Sequence, residues 1–102
     1  MNKDSDFRFI YSQYSQDSLQ IFFKLFNEFC EESDRLERDS NENVFQLLRA
    51  KYSAVLKLKL EKRARLLIDQ CTTFEAQGRL RINFTERIGY LLKEFIRKSA
   101  AL

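Results

Sequence analysis

The chain has 102 residues, of which 44% are hydrophobic and 32% are charged, with a net charge of +3 at neutral pH. These values are typical of one small globular domain. No run in the sequence approaches the roughly 18 uncharged apolar residues that a membrane-spanning helix needs. Proline is absent and glycine occurs twice, so few turns and long helices are expected. The expected fold is all-α, in a single helical domain over residues 1–102.

The first predicted element is a short N-terminal helix over residues 7–14. Its apolar residues recur at helical spacing, namely Phe7, Ile10, Tyr11 and Tyr14. A second helix is predicted over 17–37, with Ser15 or Asp17 as its N-cap. The charged and small polar residues after it predict a loop at 38–43.

A long central helix is predicted over residues 44–76, with a length of about 45 Å. It carries two apolar rows on opposite sides. One row contains Val44, Leu48, Val55, Leu58 and Leu66, and the other contains Leu56, Leu60, Ala64, Leu67 and Cys71. Apolar residues on two sides predict neighbours on both sides, within the chain or across an interface. Leu56, Leu60 and Leu67 are expected in the core.

The last helix is predicted over residues 84–99. Gly78 suits a left-handed position just after the central helix. Asn83 then serves as the N-cap, and Glu86 completes a capping-box spacing. The predicted architecture is an up-down bundle of three main helices and the short N-terminal helix, built around the long central one.

The residues of common catalytic and metal sites are missing or isolated. Histidine is absent, no glycine-rich phosphate loop is present, and Cys30 and Cys71 lack the spacing of a zinc site. We therefore expect no enzymatic activity, cofactor, metal or small-molecule substrate. The acidic residues near the start argue against a secretory signal. An intracellular protein with reduced cysteines is expected, in the cytoplasm, nucleoid or nucleus.

Charge is divided unevenly along the chain. Residues 1–43 carry five basic and ten acidic side chains, whereas residues 44–102 carry thirteen basic and five acidic ones. The basic half contains a strip on the central helix, formed by Lys51, Lys59, Lys62, Arg63 and Arg65. Three interpretations stay open: the solvated flank of a packed helix, a nucleic-acid contact, or a contact with an acidic protein partner. Membrane-surface binding is not expected, because the apolar faces are needed for packing.

Three aromatic residues near the start of the chain have two interpretations. Phe9, Tyr11 and Tyr14 are either core residues or a patch that binds a partner, since aromatic side chains are enriched at interfaces.

Residues 45–98 resemble the helical domain of GINS subunits. The resemblance depends on "LEKRARLLIDQC" (60–71), "INFTE" (82–86) and "RIGYLLKEFIRK" (87–98). Arg63 and Arg65 match the basic pair of that family, and Thr85 and Glu86 match its helix start. The resemblance implies a helical, non-catalytic subunit of a tetrameric DNA-replication scaffold that contacts the replicative helicase.

These observations together predict a non-enzymatic protein–protein interaction subunit of a larger intracellular assembly. The chain is expected to self-associate or to need a protein partner. One alternative is a small regulatory or chaperone-like binder that holds another protein's helix in an aromatic groove. Another is a DNA-binding protein that uses the basic strip directly.

Overall fold

Three α-helices account for nearly all of the described chain. The computed structural model describes residues 3–36 and 41–101, with side chains from residue 7 onward. Helix α1 spans Lys3–Arg35, α2 spans Glu42–Asp69 and α3 spans Phe74–Ala100. These ranges contain no β-strand, so the all-α prediction is confirmed for them.

The helices alternate in direction and form a rod with dimensions of 59 × 19 × 17 Å. Each helix packs against the other two. Two apolar clusters fill the interior, one toward each end of the rod. The first contains Ile10, Tyr14, Ala64, Leu67, Ile68, Cys71, Ala76, Leu80 and Phe84. The second contains Phe22, Leu25, Phe29, Leu48, Leu56, Leu60, Leu91 and Phe95.

Helix α1 is continuous, so the prediction of separate helices over 7–14 and 17–37 is wrong. Polar residues between the two apolar stripes predict a break, but Ser15 and Asp17 lie inside the helix and neither caps it. The Ser15 hydroxyl donates to the carbonyl of Tyr11 one turn earlier. Ser18 is fully buried and continues the core row of Ile10 and Tyr14 at four-residue spacing. Its hydroxyl donates to the Ser15 carbonyl at 3.1 Å, so the polar residue is accommodated inside a continuous helix.

The turn between α2 and α3 lies several residues earlier than predicted. Helix α2 ends at Asp69, and the hydroxyl of Thr73 accepts a hydrogen bond from the Ala76 amide at 3.2 Å as the N-cap of α3. Gly78 and Asn83 therefore lie inside α3, where Gly78 has no positive φ. The predicted bounds 44–76 and 84–99 are corrected accordingly. No single long helix dominates the fold, since the three helices have 33, 28 and 27 residues.

The start of α2 is fixed by Asn41, whose side-chain oxygen accepts a hydrogen bond from the Val44 amide at 3.2 Å. This cap places residues 42–43 of the predicted 38–43 loop inside α2. Residues 38–40 of that loop lie outside the described residues.

The core side of α2 matches the prediction. Leu56, Leu60 and Leu67 are all buried, each with at most 2% of its surface exposed. Leu58 and Leu66 of the opposite apolar row are exposed, whereas Leu48 is buried in the second apolar cluster and Val55 packs against that cluster. Only part of the opposite row therefore packs within the chain. None of the described helices is long and apolar enough to cross a bilayer.

Candidate interaction surface

A polar layer crosses the bundle between the two apolar clusters. The Arg63 Nε on α2 donates to Asp17 Oδ2 on α1 at 2.7 Å. Asp17 is largely covered, with 15% of its side chain exposed. Its other oxygen accepts a hydrogen bond from Gln13 at 3.0 Å. Both carboxylate oxygens are therefore satisfied away from bulk water.

The same layer extends to α3 through Arg87. Its guanidinium donates to the Ser18 hydroxyl at 3.3 Å and to the Ser15 carbonyl at 3.4 Å. Sliding one helix by a turn would bury these charges without partners, which is strongly unfavourable. The layer therefore favours one register of the three helices. Sequence reasoning missed this role of Asp17, Ser18 and Arg87, although Ser18 at a core spacing was the available signal.

Tyr14 belongs to the core, the first of the two interpretations given for it, and is not part of an aromatic interface. It is 1% exposed, and its hydroxyl donates to the Leu60 carbonyl at 2.9 Å. Its ring stacks on Phe84 with the ring centroids 4.0 Å apart. Burial raises the pKa of the Tyr14 hydroxyl well above its ordinary value. The residue was ambiguous in sequence because its hydroxyl partner is a backbone carbonyl of another helix.

Phe9 and Tyr11 are exposed but do not form one patch. Residues two apart on a helix are separated by about 200° around its axis, so their side chains leave α1 on opposite sides. Phe9 is 68% exposed, and Tyr11 stacks against Phe7 with ring centroids 6.2 Å apart. The predicted aromatic interface of Phe9, Tyr11 and Tyr14 is thus dispersed around the helix.

The five residues of the predicted basic strip do not all lie together in the structure. Arg63 faces α1 in the polar layer described above. Lys51 is exposed, with its Nζ 3.6 Å from the Glu32 carboxylate. The neighbouring Tyr52 hydroxyl and the Lys51 charge lower the pKa of the Glu32 carboxyl, while the same carboxylate raises the pKa of Tyr52 to about 12. Both Arg63 and Lys51 therefore have acidic partners within the chain.

The other three basic residues stay together on the outer surface of α2. Lys59, Lys62 and Arg65 follow one another at three-residue spacing, so they are surface neighbours. Each is exposed, and none forms an ion pair with another described side chain. Leu58 and Leu66 lie one turn on either side of Lys62 and are 65% and 49% exposed. We call these five residues the Lys62 patch.

One edge of the Lys62 patch borders a groove between α2 and α3. The groove has a volume of about 400 Å³, and Arg65 and Arg81 both line it. Ile88 and the ring of Phe84 contribute apolar lining, whereas Glu61 supplies the only acid among the lining residues described. The groove therefore continues the mixed basic and apolar character of the patch onto α3.

A second pocket of about 490 Å³ lies at the other end of the bundle. Its lining includes the free thiol of Cys30 and the ion pair of Glu42 with Arg49, whose charged atoms are 2.7 Å apart. Burial and the nearby Asp34 raise the pKa of the Cys30 thiol. A raised pKa disfavours the thiolate, which is the nucleophilic form. This pocket offers no activated nucleophile.

Among the described residues, no group of three Cys, Asp or Glu side chains lies close enough together to hold a metal ion. No protein-family model, curated protein or solved structure matches this chain. Its function is consequently inferred from its own surface.

Proposed function

We propose that this protein is a non-enzymatic helical subunit of a larger assembly, which binds an acidic protein partner through the Lys62 patch. The observation that carries the proposal is the exposure of Leu58 and Leu66 on both sides of Lys62. The two exposed leucines flank Lys62, and together with the three unpaired cations they form a surface that is both apolar and basic. A partner with apolar side chains ringed by carboxylates would match both features.

The apolar component favours protein over nucleic acid as the partner. Phosphate contacts require cations but gain little from exposed leucines. Protein interfaces combine a desolvated apolar centre with a charged rim, and the rim charges steer the partner's approach. Lys59 and Arg65 would supply rim charges, while Leu58 and Leu66 would supply the apolar contacts on either side of Lys62.

The resemblance to GINS subunits supports one form of this proposal, a DNA-replication scaffold. That resemblance matches Arg65 in the patch and Arg63 in the polar layer. Residues 82–86, which the family pattern places at a helix start, lie in the interior of α3 here. The replication form therefore depends on the basic stretch of α2 rather than on the loop before Thr85.

Direct nucleic-acid binding is the second candidate, because Lys59, Lys62 and Arg65 have no acidic partner among the described side chains. Its signature is an affinity that falls steeply with salt, since each neutralised phosphate releases counterions. A chaperone-like binder has less support, because Phe9 and Tyr11 leave α1 on opposite sides and Tyr14 is buried.

The experiment compares native partners captured by the wild-type chain and by two charge-reversal variants. The first variant changes Lys59, Lys62 and Arg65 to Glu. The matched control changes Arg8, Lys24 and Arg35 on α1 to Glu, three exposed basic residues without ion pairs among the described side chains. Both variants change net charge equally, so only the position of the reversal differs.

The proposal is supported if the wild-type chain and the α1 control both capture one acidic protein that the α2 variant does not capture. A further variant with Leu58→Ser and Leu66→Ser separates the two candidates. It should lose a protein partner but keep the binding of a labelled oligonucleotide. Equal capture by all variants would contradict the proposal, and loss of oligonucleotide binding alone with the α2 variant would favour the nucleic-acid candidate.

A further inference from the structure

The outer surface of α3 carries a row of apolar and small residues that no other helix covers. Ile82 is 64% exposed and Ile96 is 53% exposed. Both lie seven residues from Gly89, and Gly78 and Ala100 lie eleven residues from it. A seven-residue step returns to nearly the same side of a helix, so these residues form one line along α3. We call these five residues the Gly89 face.

Along the Gly89 face, the order of residue types is the same in both directions from Gly89. Moving outward from Gly89, each direction meets an isoleucine and then a small residue. A two-fold axis through Gly89 would place Ile82 opposite Ile96 of a second copy, and Gly78 opposite Ala100. Interfaces with two-fold symmetry require this kind of self-complementarity, because residue i contacts residue j and j contacts i.

The charges beside the row lie nearly, but not fully, symmetrically about Gly89. Glu86 lies three residues before Gly89 and Lys93 lies four residues after it, and both are exposed. In an antiparallel pair centred at Gly89, Glu86 of one copy lies beside Lys93 of the other, and the contact occurs twice. Neither residue forms an ion pair with a described side chain of its own chain.

Gly89 allows the two helices to approach closely at the crossing point. A methyl group added at this position would meet no atom within 4 Å of its own chain. Nothing in the described bundle therefore needs glycine here, and only proline is less favourable inside a helix. A second helix could cross at this point at close range, because glycine has no side chain to hold the two backbones apart.

From these observations we propose that the chain forms an antiparallel two-fold dimer through the Gly89 face. The partner is a second copy because this symmetry brings the isoleucines together and places Glu86 of each copy beside Lys93 of the other. The Gly89 face is on α3 and is separate from the Lys62 patch on α2. Failure of the dimer would thus leave the proposed function standing.

Sedimentation equilibrium of the purified full chain, from about 1 µM to 1 mM, tests the dimer. The wild-type chain should show a reversible monomer–dimer equilibrium. Gly89→Leu should weaken the dimer by at least about tenfold, because the leucine side chain separates the helices. Its thermal midpoint in dilute solution should not fall, since leucine is a better helix former than glycine. Lys24→Leu adds an exposed leucine on α1 as the control and should leave the equilibrium unchanged.

A charge swap identifies the symmetry of the pair. Glu86→Lys and Lys93→Glu should each weaken the dimer, because each places like charges side by side twice. The double variant exchanges the two charges and should restore wild-type association. A wild-type chain that stays monomeric at all concentrations overturns the proposal. A dimer that is indifferent to Gly89→Leu, or a double variant that is not rescued, also overturns it.

Discussion

Arg63 and Asp17 join α2 to α1 through a hydrogen-bonded ion pair with 2.7 Å between Nε and Oδ2. Arg65, only two residues later, lies on the outer surface of the same helix. The closely spaced basic residues of α2 therefore have two different roles. One stabilises the bundle from within, and the others are available to a partner.

Arg63→Met should destabilise the fold by about 1–2 kcal/mol, because it leaves the largely covered Asp17 carboxylate without its charged donor. Methionine preserves most of the apolar stem, so the change reports mainly on the ion pair. Chemical denaturation measures the free energy of unfolding. Arg65→Met is the matched control and should change it by less than about 0.5 kcal/mol. Equal effects of the two variants would show that the ion pair contributes little to stability.

Leu60→Ala should cost roughly 2–5 kcal/mol, since it removes a fully buried side chain from the second apolar cluster and leaves a cavity. Leu58→Ala, two residues away and 65% exposed, should cost less than about 0.5 kcal/mol. Thermal or denaturant unfolding compares the two. A similar loss for both would mean that Leu58 is covered, contrary to the structure.

Thr73→Ala tests the corrected boundary between α2 and α3. It removes the hydroxyl that accepts from the Ala76 amide and should cost about 0.5–2 kcal/mol. Thr72→Ala removes an exposed hydroxyl with no capping role, so its free energy of unfolding should stay close to wild type. If the turn lay at Asn83 instead, Thr73→Ala would be silent and Asn83→Ala would carry the loss.

Gly78→Ala tests the same boundary through the sign of its effect. Inside a helix, alanine is more favourable than glycine by about 1 kcal/mol, and the added methyl group would meet no atom within 4 Å. The variant should therefore be more stable than wild type when it is measured in dilute solution. A loss of stability would indicate the left-handed conformation first predicted for Gly78.

The sequence was sufficient for the fold class and for the buried row of Leu56, Leu60 and Leu67. Scarce turn residues and helical periodicity are local signals that do not depend on neighbouring helices. The helix boundaries were harder to predict from the sequence. At Ser18, a polar residue in a core position donates to the Ser15 carbonyl one turn earlier and accepts from Arg87, which is distant in sequence. The cap at Thr73 competed with an equally plausible motif around Asn83.

The candidate surface was predictable only in part. Sequence placed Lys59, Lys62, Arg63 and Arg65 on one basic helix. It could not separate Arg63 from the rest, because the partner Asp17 lies 46 positions earlier in the chain. Tyr14 was ambiguous for a similar reason, since its hydrogen-bond acceptor is the backbone of α2.

Site-specific photo-crosslinking in the native cell tests the central claim most directly. A photoreactive residue replaces Leu58 in the Lys62 patch, or Asn27 on the exposed side of α1 as the control. The account predicts a discrete acidic protein crosslinked from position 58 but not from position 27. That product should disappear when Lys59, Lys62 and Arg65 are changed to Glu. No protein product from position 58, or the same product from both positions, would contradict a partner-binding role for the Lys62 patch.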